Sequence, residues 1–99
     1  STEQMRYVLD KAFSSAKEDN WQDAIEYTKE AEEKWEEFYK KLSLYMTHAK
    51  LDSISQNLAC LGPLAAYQAE DQFYAEILRC QSQITGLGKT EYPTVDNIL

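Results

Sequence analysis

Apolar residues return along this chain at intervals of three and four, the spacing that lines one face of an α-helix. Met5, Val8, Leu9, Ala12, Phe13 and Ala16 form a first stripe, which the polar run Lys17-Glu18-Asp19-Asn20 stops. A second stripe follows through Trp21, Ala24, Ile25, Thr28, Ala31, Trp35, Phe38 and Leu42. A third runs through Leu51, Ile54, Leu58, Leu61 and Ala65, and a fourth through Phe73, Ile77, Cys80 and Ile84. The pattern predicts helices over about residues 2–18, 20–43, 47–68 and 71–86, within a single domain spanning 1–99. Pro93 blocks helix near the end of the chain, so 87–99 reads as an extended tail.

The breaks between stripes carry their own chemistry. Asn20 is a good N-cap, and Asp23 adds negative charge in the first turn, where it complements the helix dipole. So short a polar break implies an antiparallel helical hairpin. Proline at 63 removes the bond to the Ala59 carbonyl, so Gly62-Pro63 predicts a kink, or a helix end with Pro63 opening the next one. Asp71 reads as the cap of the fourth helix, and Gly86 and Gly88 as its glycine stop. The stretch Lys40 to Thr47 has no strong breaker. A helix running from Asn20 to Leu61 would be about 60 Å long and would leave its aromatics half exposed in a monomer. A break near Leu42–Thr47 is therefore expected. It gives an all-α fold, a four-helix arrangement of two antiparallel hairpins. The alternative is three helices with one long central helix, dimeric.

The stripes nominate a core of Trp21, Trp35, Phe38, Leu42, Ile54, Leu58, Leu61, Phe73, Ile77 and Ile84. "DNWQDA" at 19–24 and "EDQFYA" at 70–75 occupy similar places in the two hairpins, each a polar turn followed by a small residue that permits close helix contact. The first is similar to the turn of a tetratricopeptide repeat, but the spacing departs from that family's period of about 34 residues.

Composition agrees with helix. The chain has three glycines and two prolines, none of them before Gly62, and 43% apolar residues, enough for one modest core. A formal net charge of −7 argues against nucleic acid and against anionic membrane surfaces as partners. Glu30 with Lys34, Glu36 with Lys40, and Glu37 with Lys41 stand four apart, in the order that favours ion pairs along a solvated helix face. Two cysteines fit neither a metal cluster nor a disulfide framework. Antiparallel pairing would bring Cys60 and Cys80 level, so a disulfide is geometrically open. Cys60 is off the stripe, which favours two free buried thiols.

His48 is the single histidine, with Asp52 one helical turn later. That spacing could hold a metal or run an acid–base relay. A metal would need a further ligand from another helix, and the sequence nominates none. The structural reading is that the two pair with each other, with His48 against Trp35 or Tyr45. Seven tyrosines are many for this length; Tyr27, Tyr39, Tyr45, Tyr67 and Tyr74 suit surfaces half apolar and half wet. No serine–histidine–acid order, phosphate loop or zinc spacing is present.

In order and spacing, "EDNWQDAIEYTKEAEEKWEEFYKKLSLYMTHAKLDSI", a short-turn hairpin and a terminal "NIL" together resemble a bacterial family of small envelope proteins, domain of unknown function 4363. The resemblance rests on Trp21, Ala24, Trp35, His48, Asp52, Ile54, the Asp71–Ala75 step and Asn97-Ile98-Leu99. It implies an all-helical domain outside the cytoplasm, tethered by an N-terminal membrane segment not in this chain. It implies no activity, cofactor or catalytic residue. The family tends to place an acidic residue between the histidine and the aspartate, where this chain has Lys50.

The resulting expectation is a non-enzymatic helical module of the bacterial envelope that binds a protein or peptide, without cofactor. The alternative is a metal-binding or enzymatic domain centred on His48 and Asp52. The tail is expected to fold back, placing Val95, Ile98 or Leu99 on the bundle with Asn97 bonding exposed backbone.

Overall fold

A computed structural model of the chain describes residues 2–89. The expectations for Val95, Asn97, Ile98 and Leu99 lie outside the described residues. Four helices follow one another: α1 (Thr2–Lys17), α2 (Trp21–Leu42), α3 (His48–Ala66) and α4 (Glu70–Gly88). Helix accounts for 86% of the described residues, and no strand occurs among them. Each helix packs on two neighbours, α1 on α2 and α4, and α3 on α2 and α4. With short turns this gives an up-down-up-down bundle. The break between α2 and α3 rules out the single long central helix. Its turn spans 43–47, where the Tyr45 and Met46 amides bond back to the Leu42 carbonyl.

Trp21, Trp35, Phe38, Leu42, Ile54, Leu58, Leu61, Phe73, Ile77 and Ile84 are all buried in one apolar cluster, together with Met5, Leu9, Met46, Cys80 and Leu87. Thr28 is buried too, and its hydroxyl is satisfied by the Ile25 carbonyl at 2.7 Å.

The α1–α2 and α3–α4 turns are built alike. Asn20 N–H bonds to the Ser15 carbonyl at 2.8 Å and Asp19 N–H to Ala16 at 2.9 Å; Ala69 N–H bonds to Leu64 at 2.9 Å and Gln68 N–H to Ala65 at 3.0 Å. These are Schellman closures, and they put Asp19 and Gln68 at φ of 60° and 54°. Asp19 and Gln68 are thus the equivalent positions, and the correspondence read between Asp19–Ala24 and Glu70–Ala75 shifts accordingly. Phe73 stands where Ala24 stands. Ala24 is buried at a helix contact, whereas Ala75 is exposed.

Helix ends differ from the sequence expectation in two places. Asn20 does cap α2, accepting from Asp23 N–H at 3.1 Å. Asp71 does not cap α4: the N-cap is Ala69, without a side-chain bond, and Asp71 lies inside the first turn. The Schellman closure already fixes where α4 starts, so its charge serves only the dipole. Gly86 and Gly88 do not provide a left-handed stop, since no glycine has positive φ and α4 runs through Gly86 to Gly88. Burial of Leu87 holds that last turn on the bundle. Of the two outcomes open at Gly62-Pro63, a helix end is excluded: α3 continues to Ala66, in keeping with the helix expected over 47–68. The clash that keeps a residue before proline out of the helical region involves its Cβ, and Gly62 has none. Pro63 itself is exposed, as is Ala59 one turn before it. The lost bond remains a cost, so Pro63→Ala is expected to stabilise the domain by roughly 1–3 kcal/mol. A melting curve no higher than the parent's would show that the proline costs nothing here.

Candidate functional site

His48 opens α3 and Asp52 follows one turn later, both exposed. They meet through a residue that their spacing in sequence does not indicate. Tyr39, in the last turn of α2, places its hydroxyl 2.6 Å from Asp52 Oδ1 and 3.1 Å from His48 Nδ1. A phenol has one proton to give. The short contact assigns it to the carboxylate, so the hydroxyl oxygen accepts from Nδ1–H of the imidazole. Among the described residues no bond joins His48 directly to Asp52. The expected direct pair is replaced by a bridge, because Tyr39 reaches both from across the turn. The imidazole packs edge-on to the Tyr39 ring, with centroids 6.0 Å apart, rather than against Trp35 or Tyr45.

One turn further along, the same seam repeats the device. The Trp35 indole N–H donates to Ser55 Oγ at 2.7 Å, and Ser55 donates to the Leu51 carbonyl at 3.2 Å. Trp35 and Tyr39 stack edge to face, 6.3 Å between centroids. Polar clasps from α2 thus meet α3 turn by turn. Between α3 and α4, Asn57 donates to Gln83 Oε1 at 2.9 Å and Gln83 to Ser53 Oγ at 3.2 Å.

The bond to Asp52, with smaller contributions from desolvation and the carboxylate charge, holds the Tyr39 phenol above its ordinary value. The folded chain therefore keeps this proton more tightly than the unfolded chain does. Its contribution to stability is present below the ordinary phenol range and is lost as pH rises through the folded value. Titration of tyrosine ring carbons by NMR is expected to show Tyr39 ionising late. Asp52→Ala should bring it back towards the ordinary value. An unchanged midpoint in that variant would mean that the bond does not hold the proton.

No group of three or more His, Cys, Asp or Glu side chains that could hold a metal occurs among the described residues. His48→Gln is accordingly expected to lower the melting temperature only modestly and to leave metal content at background. Stoichiometric transition metal in the purified protein, lost in this variant, would reverse that reading.

Cys60 and Cys80 are free. They stand level on adjacent antiparallel helices but face differently: Cys80 is buried, whereas Cys60 is exposed, contrary to the expectation of two buried thiols. Burial pushes the Cys80 thiol up to about 12. The Glu–Lys pairs expected along α2 do not close either. Among the described residues the one ion pair is Arg79 with Glu76, 3.1 Å apart on α4. Exposed pairs of this kind gain little against side-chain entropy, so the lysines stay solvated.

Among the described residues the tyrosines do not converge. Tyr39 borders a shallow recess with Trp35 and Ser55, Tyr7 borders another with Val8, and Tyr67 stands out at the opposite end. An apolar groove of about 570 Å³ lies between α3 and α4, where Ala59, Pro63 and Ala75 leave room beside Cys60 and Leu64. Among the described residues, no helix is long and apolar enough to cross a membrane.

No curated protein and no solved structure matches the chain. The family model described as domain of unknown function (DUF4363) matches residues 1–98. A four-helix chain whose residues 1–98 match that family model over nearly the whole length belongs to the DUF4363 family.

Proposed function

We propose that this domain is a non-enzymatic helical module of the bacterial cell envelope that binds a protein or peptide. The observation that carries the reading is the α3–α4 groove. It is lined by the small side chains of Ala59, Pro63 and Ala75 together with Leu64 and Cys60. Such a trough suits an apolar segment laid along it, in the manner of a helix in a groove. The Arg79–Glu76 pair stands at the rim, where polar contacts set orientation rather than affinity. His48, Tyr39 and Asp52, the residues best placed for chemistry, are engaged with one another across the α2–α3 seam. The compartment is supported by the resemblance to envelope proteins.

A photoreactive side chain placed at Ala75, in the groove, should give a discrete adduct in cells. The same group at Glu26, outside the groove on α2, should not. Equal adducts from both positions would count against the groove. Cys60 reports the compartment. It is exposed, while the buried Cys80 thiol does not compete. A membrane-impermeant maleimide should label Cys60 in spheroplasts before lysis; because Cys60 lines the groove, labelling only after lysis would place the domain in the cytoplasm if Glu26→Cys, outside the groove, behaved the same way.

A further inference from the structure

Net charge treats the molecule as a point, but the fold divides its charge between two ends. Lys40 and Lys41 close α2, Lys50 lies in the first turn of α3 and Lys89 caps α4. The antiparallel topology brings all of them to the end formed by the α2–α3 turn, and all are exposed. None is in an ion pair among the described residues. Glu3 is the acidic residue of the outermost turns there. Glu36, Glu37 and Asp52 lie a turn or more behind, and Asp52 is held by Tyr39. The opposite end carries Glu18, Asp19, Asp23, Glu70 and Asp71 against Lys17. At the tip of the basic end stand Leu44, 77% exposed, and Tyr45, 46% exposed, with Met46 tucked into the core beside them.

We propose that this end of the bundle docks on an anionic lipid bilayer, with Leu44 and Tyr45 in the interface and Lys40, Lys41, Lys50 and Lys89 over the headgroups. A tyrosine offers an apolar ring and a wet hydroxyl, which suits the headgroup level. Lysines reach past apolar neighbours to keep their charge in the polar layer. Distance decides whether the acidic end defeats this. The bundle is 38 Å long, and the screening length is about 8 Å at physiological ionic strength. The acidic end then lies several screening lengths from the membrane, so the lysines at the tip are opposed only by Glu3 and by Glu36, Glu37 and Asp52 set back from it. At ~0.01 M salt the screening length grows to about 30 Å, so the whole negative molecule is repelled. At ~1 M it shrinks to about 3 Å and the lysines are screened as well. Binding should therefore pass through a maximum with salt, whereas a simple basic protein binds best at the lowest.

The test is co-sedimentation with vesicles of phosphatidylglycerol and phosphatidylcholine in equal parts, and with phosphatidylcholine alone, at these three salt concentrations. The expected result is partition to the anionic vesicles that is greatest near ~0.15 M salt. Lys41→Gln or Lys50→Gln should lower it about fivefold each, the factor for one cation near an anionic surface. Leu44→Ser with Tyr45→Ser should lower it further, and Lys17→Gln at the opposite end should leave it unchanged. If the double serine variant fails to fold, the two lysine variants decide. Equal partition to neutral vesicles, no partition at the middle salt, or a steady fall from the lowest salt upward would each overturn the proposal. So would a concentration-dependent dimer, in the absence of lipid, that Leu44→Ser with Tyr45→Ser abolishes: the end would then be occupied by a second copy.

Discussion

Truncating Trp35 to alanine is expected to cost about 3–5 kcal/mol, the range for large aromatic side chains removed from a core. Trp35 is buried where α2 meets α3, and its indole N–H holds Ser55. The variant loses packed volume and leaves the Ser55 hydroxyl without its donor. At about 4–8 °C per kcal/mol for a domain of this size, the melting temperature should fall by tens of degrees. Trp35→Phe separates the two losses. It keeps much of the apolar body and removes only the N–H, so it should cost clearly less than alanine. A thermal melt of Trp35→Ala within a degree or two of the parent would mean that the indole does not hold the α2–α3 seam.

Phe73→Ala is expected to fall in the same range, by a different route. Phe73 is fully buried and carries no polar atom, so the loss is transfer energy plus the cavity left behind. Its ring meets Trp21 edge to face at 5.5 Å and Tyr74 at 6.2 Å. Because Phe73 sits at the start of α4 and Trp21 at the start of α2, this contact ties the two hairpins together at the acidic end. A double-mutant cycle between Trp21→Ala and Phe73→Ala should return a coupling of about 0.5–1.5 kcal/mol beyond buried area. Phe73→Leu should be tolerated much better, since it keeps most of the volume. Denaturant unfolding gives both numbers, and a vanishing coupling energy would mean that the two rings merely coexist.

Several features of the fold can be read from side-chain order alone. The four stripes specify four helices, because a face repeating every three to four residues buries itself only in that conformation. Asn20 with Asp23 marks the start of α2, because capping is a contact between near neighbours in sequence. The stretch Lys40–Thr47 carries no breaker, and exposure alone points to a turn there: an unbroken helix would strand aromatics such as Trp35 and Tyr39 in water.

The misread features share a cause. Gly86 resembles a stop, but Leu87 behind it is buried on the bundle and carries the helix onward. Asp71 resembles a cap, but the Schellman closure at Gln68 already sets where α4 begins. In each case a packing or backbone interaction outweighs a propensity worth about 1 kcal/mol.

The site divides the same way. That His48 and Asp52 share a face of α3 follows from spacing within one helix. Their joint partner Tyr39 is a matter of register between helices. A signal exists: Tyr39 and Asp52 are about equally far from the centre of the turn, as are Trp35 and Ser55, which is the alignment of an antiparallel hairpin. Using it requires knowing where the turn lies, and that depends on burial. Charge behaves likewise. The sequence determines a total of −7, a property indifferent to arrangement. Only the tertiary structure gathers Lys40, Lys41, Lys50 and Lys89 around Leu44 and Tyr45, because antiparallel packing brings the end of α2, the start of α3 and the end of α4 to one place. Periodicity and caps are local, and one chain suffices to state them. Register between helices and the sorting of charge to opposite ends are relations between distant segments, which packing alone creates.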